Sequence, residues 1–221
     1  MIHPSLSACP LFSGMSVSDL EEFCQAVSPV VHSYGSGQCI ALHGEPFFHA
    51  AVILEGGITV SRIHISGSES TVAHLAPGSP ALFFEAISGL PLNFSYTACK
   101  KTRLLLLPVR SLTGNALFSY PWSPIFQKNL TQFLSGLSMN MSRKISILTM
   151  DTLTHKVLAL LELFAPPGDK EIILPMNRKE MAQYLSVNRS ALSRALTDMK
   201  KEGLILWNRN HFLLLYRDSG L

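Results

Sequence analysis

Charge is scarce in this 221-residue chain: Asp, Glu, Lys and Arg make up 15% of it against 47% apolar residues. That balance excludes a disordered polyelectrolyte and implies a folded protein with a large interface to cover, hence an oligomer. Long apolar runs are also missing. No stretch approaches the roughly 18 consecutive apolar residues of a membrane span, and the first residues lack a basic segment leading into an apolar one. Neither a span nor a signal peptide is expected, which places the protein in the cytoplasm. Cysteine is sparse and unpatterned. Cys9, Cys24, Cys39 and Cys99 contain no C-x-x-C pair, so neither a zinc ribbon nor a disulfide framework is suggested and no cofactor is expected. The four read as ordinary free thiols. Cys99 is the one placed for redox sensing, because Lys100 and Lys101 beside it would favour the thiolate.

Cations are nearly absent from the first part of the chain. Residues 1–99 hold Arg62 against seven acids, a net of −6; residues 100–150 hold seven cations and no acid; residues 151–221 hold ten cations and eight acids. A polyanionic partner should therefore meet the second half. Between Met176 and Arg217 there are eight cations and three acids.

What is present reads as two kinds of periodicity. Ser16–Val27 has the spacing of a short amphipathic helix, with Val17, Leu20, Phe23, Cys24 and Val27 on one face. From Val30 to Leu107, short apolar or alternating runs (Ile40–Leu42, Ala51–Leu54, Ile58–Ile65, Thr71–Leu75, Phe94–Cys99, Thr102–Leu107) are separated by Gly- and Pro-containing turns, including Ser66-Gly67-Ser68. Short strands at this spacing indicate a sandwich or barrel. After Pro124 the period turns helical. Phe126, Leu130, Phe133, Leu137, Met141, Ile145 and Leu148 form a stripe close to coiled-coil spacing, which either packs on the β domain or pairs two chains. Asp151 is expected to cap the next helix, which runs through Phe164 to the stop Pro166-Pro167-Gly168.

The segment after Met176 carries the function. Asn177-Arg178-Lys179-Glu180 is a capping-box pattern opening a helix to about Leu185. Ser186-Val187 forms a break, and Asn188 caps a second helix from Arg189 to about Glu202, ended by Gly203. On that helix Leu192, Ala195, Leu196 and Met199 would face the core, and Arg189, Ser190, Ser193, Arg194 and Thr197 would face out. Small donor-rich residues let a helix approach DNA bases, and Arg donates two bonds to guanine. The runs Leu204–Trp207 and Phe212–Tyr216 flank Asn208-Arg209-Asn210-His211, a hairpin whose basic tip would lie beside phosphates. The expected DNA-contacting residues are Arg178, Lys179, Asn188, Arg189, Ser190, Ser193, Arg194 and Arg209.

The stretch Asn177 to Arg194 resembles the helix-turn-helix of the Crp/Fnr family of bacterial transcription regulators, relatives of the catabolite activator protein. Leu42-His43-Gly44-Glu45-Pro46 and Ile53-Leu54-Glu55-Gly56-Gly57-Ile58-Thr59-Val60 resemble the early turns of that family's cyclic-nucleotide-binding domain. The resemblance implies an α+β protein in three parts: a double-stranded β-helix (jelly roll) that senses an effector over residues 1–118, a dimerisation helix and hinge over 119–150, and a winged helix-turn-helix over 151–221. It further implies a homodimer on a palindromic double-stranded DNA operator, an unidentified small-molecule effector, a partner in RNA polymerase and no catalytic residue. By the same resemblance Arg189 and Arg194 fall where relatives read bases, and Ser190 replaces a common Glu.

The sensor half departs from members that bind cyclic AMP. Those have Gly-Glu early in the phosphate cassette and Arg-Ser or Arg-Thr late in it, whereas Pro77–Thr97 here has Ala81-Leu82 near the first site and no arginine. A phosphodiester in a half-buried pocket needs a cation or an array of N–H donors, so an effector other than cyclic AMP is expected. Arg62, Leu82, Phe83, Phe84 and Phe94 are the expected pocket residues. Nor do the cysteines resemble the clustered N-terminal set of the iron–sulfur members. Two other readings exist. The sensor could be degenerate, leaving constitutive DNA binding; or His43, His49 and Glu55, spaced six apart, could serve a cupin-like metalloenzyme, although the two-His pair separated by one residue typical of that class is missing.

Overall fold

Residues 3–63 and 69–215 are described by the structure, a computed structural model; the expected turn Ser66-Gly67-Ser68, and Tyr216 and Arg217, lie outside them. The chain divides into two compact units, Met1–Gly136 and Leu137–Leu221. The division falls inside the segment expected to be a separate helical part.

Short α1 (Pro4–Ser7) and α2 (Val17–Val27) open the first unit. Ser16 starts α2 with a reciprocal cap: its Oγ accepts the Asp19 N–H at 3.1 Å, and the Asp19 carboxylate accepts the Ser16 N–H at 2.8 Å. Leu20, Phe23 and Val27 are buried as their spacing predicts, while Val17, at the exposed start of the helix, is not.

Eight strands follow: β1 (Val30–Tyr34), β2 (Cys39–Ala41), β3 (His49–Glu55), β4 (Ile58–Ile63), β5 (Glu69–Leu75), β6 (Pro80–Ala81), β7 (Ser95–Ala98) and β8 (Thr102–Pro108). They form two four-stranded antiparallel sheets, ordered β1-β8-β3-β6 and β2-β7-β4-β5, and these face each other as the jelly roll. Strand β3 shows why the sequence reads as it does. Its side chains alternate between two cores: Ala51 and Ile53 join the roll interior with Ile58, Tyr96 and Leu104, while Ala50, Val52 and Leu54 join a second core under the helices with Phe12, Phe23 and Phe126. A strand buried on both faces loses its polar alternation and reads as a continuous apolar run. At the β3–β4 turn, Gly56 has φ +87° and packs so closely on Thr102 that a Cβ would overlap it, so only glycine fits there.

Strands β1 and β6 were not anticipated. Both are sheet edges; four of the five residues of β1 are exposed, and β6 has only two residues, so neither carries a pattern. The segment expected to line a pocket contains α3 (Phe83–Ser88), entered through Leu82 in the left-handed region at φ +61°. After α4 (Val109–Thr113), α5 (Ser123–Leu148) begins one residue before Pro124. Its first turns are anchored in the helix-side core. Phe126 lies 5.0 Å from Phe23 and 5.9 Å from Phe12, and Phe133 meets Phe83 edge-on at 6.1 Å. Further along, Met139, Met141 and Ile145 are 54%, 54% and 61% exposed.

In the second unit, α6 (Leu153–Phe164) is capped by Thr152, not Asp151 as expected. The Thr152 Oγ accepts the His155 N–H at 3.1 Å, because Leu153 is the first residue of the apolar stripe and the cap must immediately precede it. Strand β9 (Glu171–Ile173), α7 (Arg178–Tyr184), α8 (Arg189–Lys201), β10 (Ile205–Asn208) and β11 (His211–Leu214) complete the unit, with the strands ordered β10-β11-β9. The three-residue β9 is too short for a periodic signal. Val157, Leu160, Leu161, Met181, Leu192, Leu196, Met199 and Phe212 lie in one core, so α6, α7, α8 and the sheet fold as one body.

Candidate nucleic-acid interface

The two helices after Met176 start where their caps predict. Asn177 Oδ1 accepts the N–H groups of Lys179 and Glu180 at 2.9 and 3.1 Å, and the Glu180 carboxylate accepts the Asn177 N–H at 2.7 Å. Asn188 Oδ1 accepts the Ala191 N–H at 2.7 Å and the Ser190 hydroxyl at 2.8 Å. Between the helices, Ser186 takes φ +55°. Asn177→Ala is expected to lower stability by about 1 kcal/mol through the lost cap, read by thermal or denaturant unfolding; an unchanged midpoint would mean that the cap contributes nothing.

Helix α8 separates its faces as its sequence demands. Leu192, Leu196 and Met199 are buried, and Arg189, Ser190, Ser193, Arg194 and Thr197 are all exposed. The Ser193 hydroxyl donates to the Arg189 carbonyl and the Thr197 hydroxyl to the Ser193 carbonyl, both at 2.9 Å. These folded-back hydroxyls keep the surface low. Among the described residues neither guanidinium of Arg189 and Arg194 has an ion-pair partner, so both are free to donate outward.

Beside the head of α8, a recess of about 600 Å³ is lined by Asn177, Arg178, Lys179, Arg189, Arg209 and Asn210, among others. Four of these carry positive charge. The wing tip is fastened from behind: the Asn210 side-chain amide donates to the Leu174 carbonyl at 3.0 Å, and the Leu174 N–H donates to the Asn210 carbonyl at 2.9 Å. Arg209, at φ +54° in the tight turn, is exposed. The supports Leu174 and Asn210 were not singled out in the sequence, where the one available signal was an Asn in a hairpin turn. Arg178 is placed differently from the other cations. Its guanidinium lies over the Trp207 and Phe212 rings.

The five residues expected around an effector are dispersed. Leu82 is buried in the roll interior, where Phe94 packs against the same core. Phe83 turns into the helix-side core, Phe84 is 53% exposed, and Arg62 is exposed near the end of β4. This fan follows from α3 starting at Phe83, since successive helical residues point about 100° apart. Polar groups do occur in the roll. The Tyr96 hydroxyl donates to Glu85 at 2.6 Å, and burial with this acidic neighbour pushes its pKa up. Ser61 is buried, and its hydroxyl has no partner.

Among the described residues no group of three His, Cys, Asp or Glu side chains is arranged to hold a metal. Glu55, one of the three cupin-type candidates, instead meets His3 at 3.3 Å and Arg103 at 2.9 Å; these partners hold its carboxyl below the usual range, His3 first. Desolvation pushes the Cys9 thiol up to about 11 and raises that of Cys24, while Cys39 and Cys99 are exposed. Among the described residues no helix is long and apolar enough to cross a membrane.

A jelly roll, a long helix and a helix-turn-helix with a β wing together define the architecture of a ligand-responsive DNA-binding regulator. Residues 156–219 match the Crp-like helix-turn-helix domain family. Over 194 residues the chain is 24% identical to the global nitrogen regulator of Synechocystis sp., covering 82% of each. Its fold is shared with CprK complexed with OCPA (20% identity, 90% of each chain, TM-score 0.65) and with FixK2 from Bradyrhizobium japonicum (19% identity, 86% of this chain and 93% of that one, TM-score 0.51). The C-terminal domain is thus a Crp-like helix-turn-helix domain, and the chain has the fold of Crp/Fnr regulators.

Proposed function

We propose that this protein is a sequence-specific transcription regulator of the Crp/Fnr type, acting without catalysis as a homodimer on a two-fold operator. The observation that carries this reading is the free outward stripe of α8 beside the cationic recess and wing tip. Arg189 and Arg194 read base edges in the major groove; Lys179 and Arg209 hold phosphates; Asn188, Ser190 and Ser193 keep the contact surface short. In the two-fold dimer the recognition helices enter grooves about 34 Å apart. Fluorescence anisotropy with the preferred operator and with scrambled duplex at several salt concentrations tests this. Specific binding should exceed non-specific binding by about a thousandfold or more, and equal affinities would overturn the reading.

Functionally the chain works in three parts: the roll senses over residues 1–118, the helix couples two chains over 119–150, and residues 151–221 bind DNA. An effector in the roll would meet Leu82 and Phe94, with Ser61, Tyr96 and Glu85 as polar partners. The fold neighbour CprK was solved with OCPA, which supports a liganded sensor of this architecture. Cyclic AMP is a poor match, since Pro77–Thr97 holds no arginine and Arg62 is exposed. Calorimetric titration with cyclic AMP is expected to show no saturable heat and no change in operator affinity; specific binding in the micromolar range would refute the assignment.

A further inference from the structure

We propose that Arg178 is a positioning residue, a pin that holds the wing against the helix-turn-helix through the Trp207 and Phe212 rings, and not a contact to the DNA backbone. This rests on the DNA-binding reading above for its consequence, though not for its geometry. Trp207 and Phe212 are direct partners across the β10–β11 hairpin, so their rings stand side by side on its inner face. The Arg178 guanidinium lies 4.5 Å from the Trp207 ring centre and 4.9 Å from that of Phe212. Both distances are within the range where a cation is attracted by an aromatic face, and Trp is the strongest such partner.

The remaining donors fit the same role. Nη1 donates to the Met181 sulfur at 3.6 Å, one turn along α7. Nη2 is buried with no hydrogen-bond partner, which is costly for a charged donor unless aromatic faces take its place. A guanidinium turned down onto its own helix and across two rings has little left to offer a phosphate. The rings also reach the recognition helix: Trp207 Nε1 donates to the Leu196 carbonyl of α8 at 3.3 Å. Arg178 on α7, Trp207 on the wing and Leu196 on α8 thus close a triangle that fixes the wing tip relative to the residues that read DNA. The sequence gives Arg178 and Lys179 the same apparent role, two adjacent cations at a helix start. The structure divides them, because Lys179 is exposed whereas Arg178 is half-buried.

Lysine distinguishes a pin from a phosphate contact. An ammonium keeps the charge and serves at a phosphate, but it cannot lie flat over two rings. In the full chain, Arg178→Lys and Arg178→Met are both expected to weaken operator binding about tenfold, as loss of a partly buried cation–π contact does. The salt slope should be unchanged in the lysine variant. Lys179→Gln, in contrast, should reduce the slope by about 0.9, the value for one phosphate contact. Acrylamide quenching of Trp207, followed in a Trp122→Phe background without DNA, should increase in both Arg178 variants. Trp207→Phe keeps a ring but removes the bond to Leu196, and should weaken binding with the slope unchanged. Wild-type affinity in Arg178→Lys, or unaltered quenching of Trp207 in the variants, would overturn the proposal. Salt-independent, non-saturable DNA binding by the wild type would overturn the DNA-binding reading instead, and the quenching would still decide the pin.

Discussion

Arg194→Ala is expected to cost about 1–3 kcal/mol per half-site on the preferred operator and to relax selection at one base-pair position. Arg194 stands on the exposed face of α8, with the buried Leu192 and Leu196 fixing the rotation of the helix beneath it. Its guanidinium has no internal partner to give up on binding. Arg209 should behave differently, because the Asn210–Leu174 bonds place it at the wing tip beside the backbone. Arg209→Ala should weaken all sequences alike and reduce the salt slope by about 0.9. Anisotropy titrations against single-base operator variants at several salt concentrations separate the two. Uniform weakening by Arg194→Ala, together with altered base preference in Arg209→Ala, would reverse the assignment of groove helix and wing.

Met141→Glu is expected to convert the dimer to monomer, raising the dimer dissociation constant by about a hundredfold or more, because like charges meeting across an apolar interface cost several kcal/mol. The apolar stripe of α5 has two fates. Phe126 is consumed by the aromatic core of its own roll, while Met139, Met141 and Ile145 remain exposed in the single chain. Burying those residues against a second copy would account for the low polar content of the sequence, and without the dimer the two half-sites are no longer bound together. Sedimentation velocity with parallel operator titrations measures both effects. A wild-type-like dimer would remove this part of α5 from the interface.

The legibility of the sequence varied with the kind of signal each element carries. The α7–α8 pair was readable nearly to the residue, since Asn177, Glu180, Asn188 and Gly203 act locally and need no distant partner to do so. At α6 the same logic placed the cap one residue early, because Asp151 and Thr152 are both good caps and only the backbone conformation chose Thr152. The effector region was least legible. The run Leu82-Phe83-Phe84 looks like one apolar lining, yet the left-handed turn at Leu82 and the start of α3 send the three side chains to the roll interior, the helix-side core and solvent.

Sequence alone determined what depends on neighbours along the chain: the helix caps, the two faces of α8, the charge asymmetry and the mostly apolar strands of the roll. Each follows from spacing or composition, which a single chain displays directly. Tertiary structure decided what depends on residues far apart. It paired the edge strands β1 and β6, added β9 to the wing, and brought Leu174 to Asn210. It also split Arg178 from Lys179, for whether a cation is free or stacked is settled by where Trp207 and Phe212 come to rest, some thirty residues away in the sequence. No local pattern encodes that distance, because it exists only once the hairpin has packed against α7.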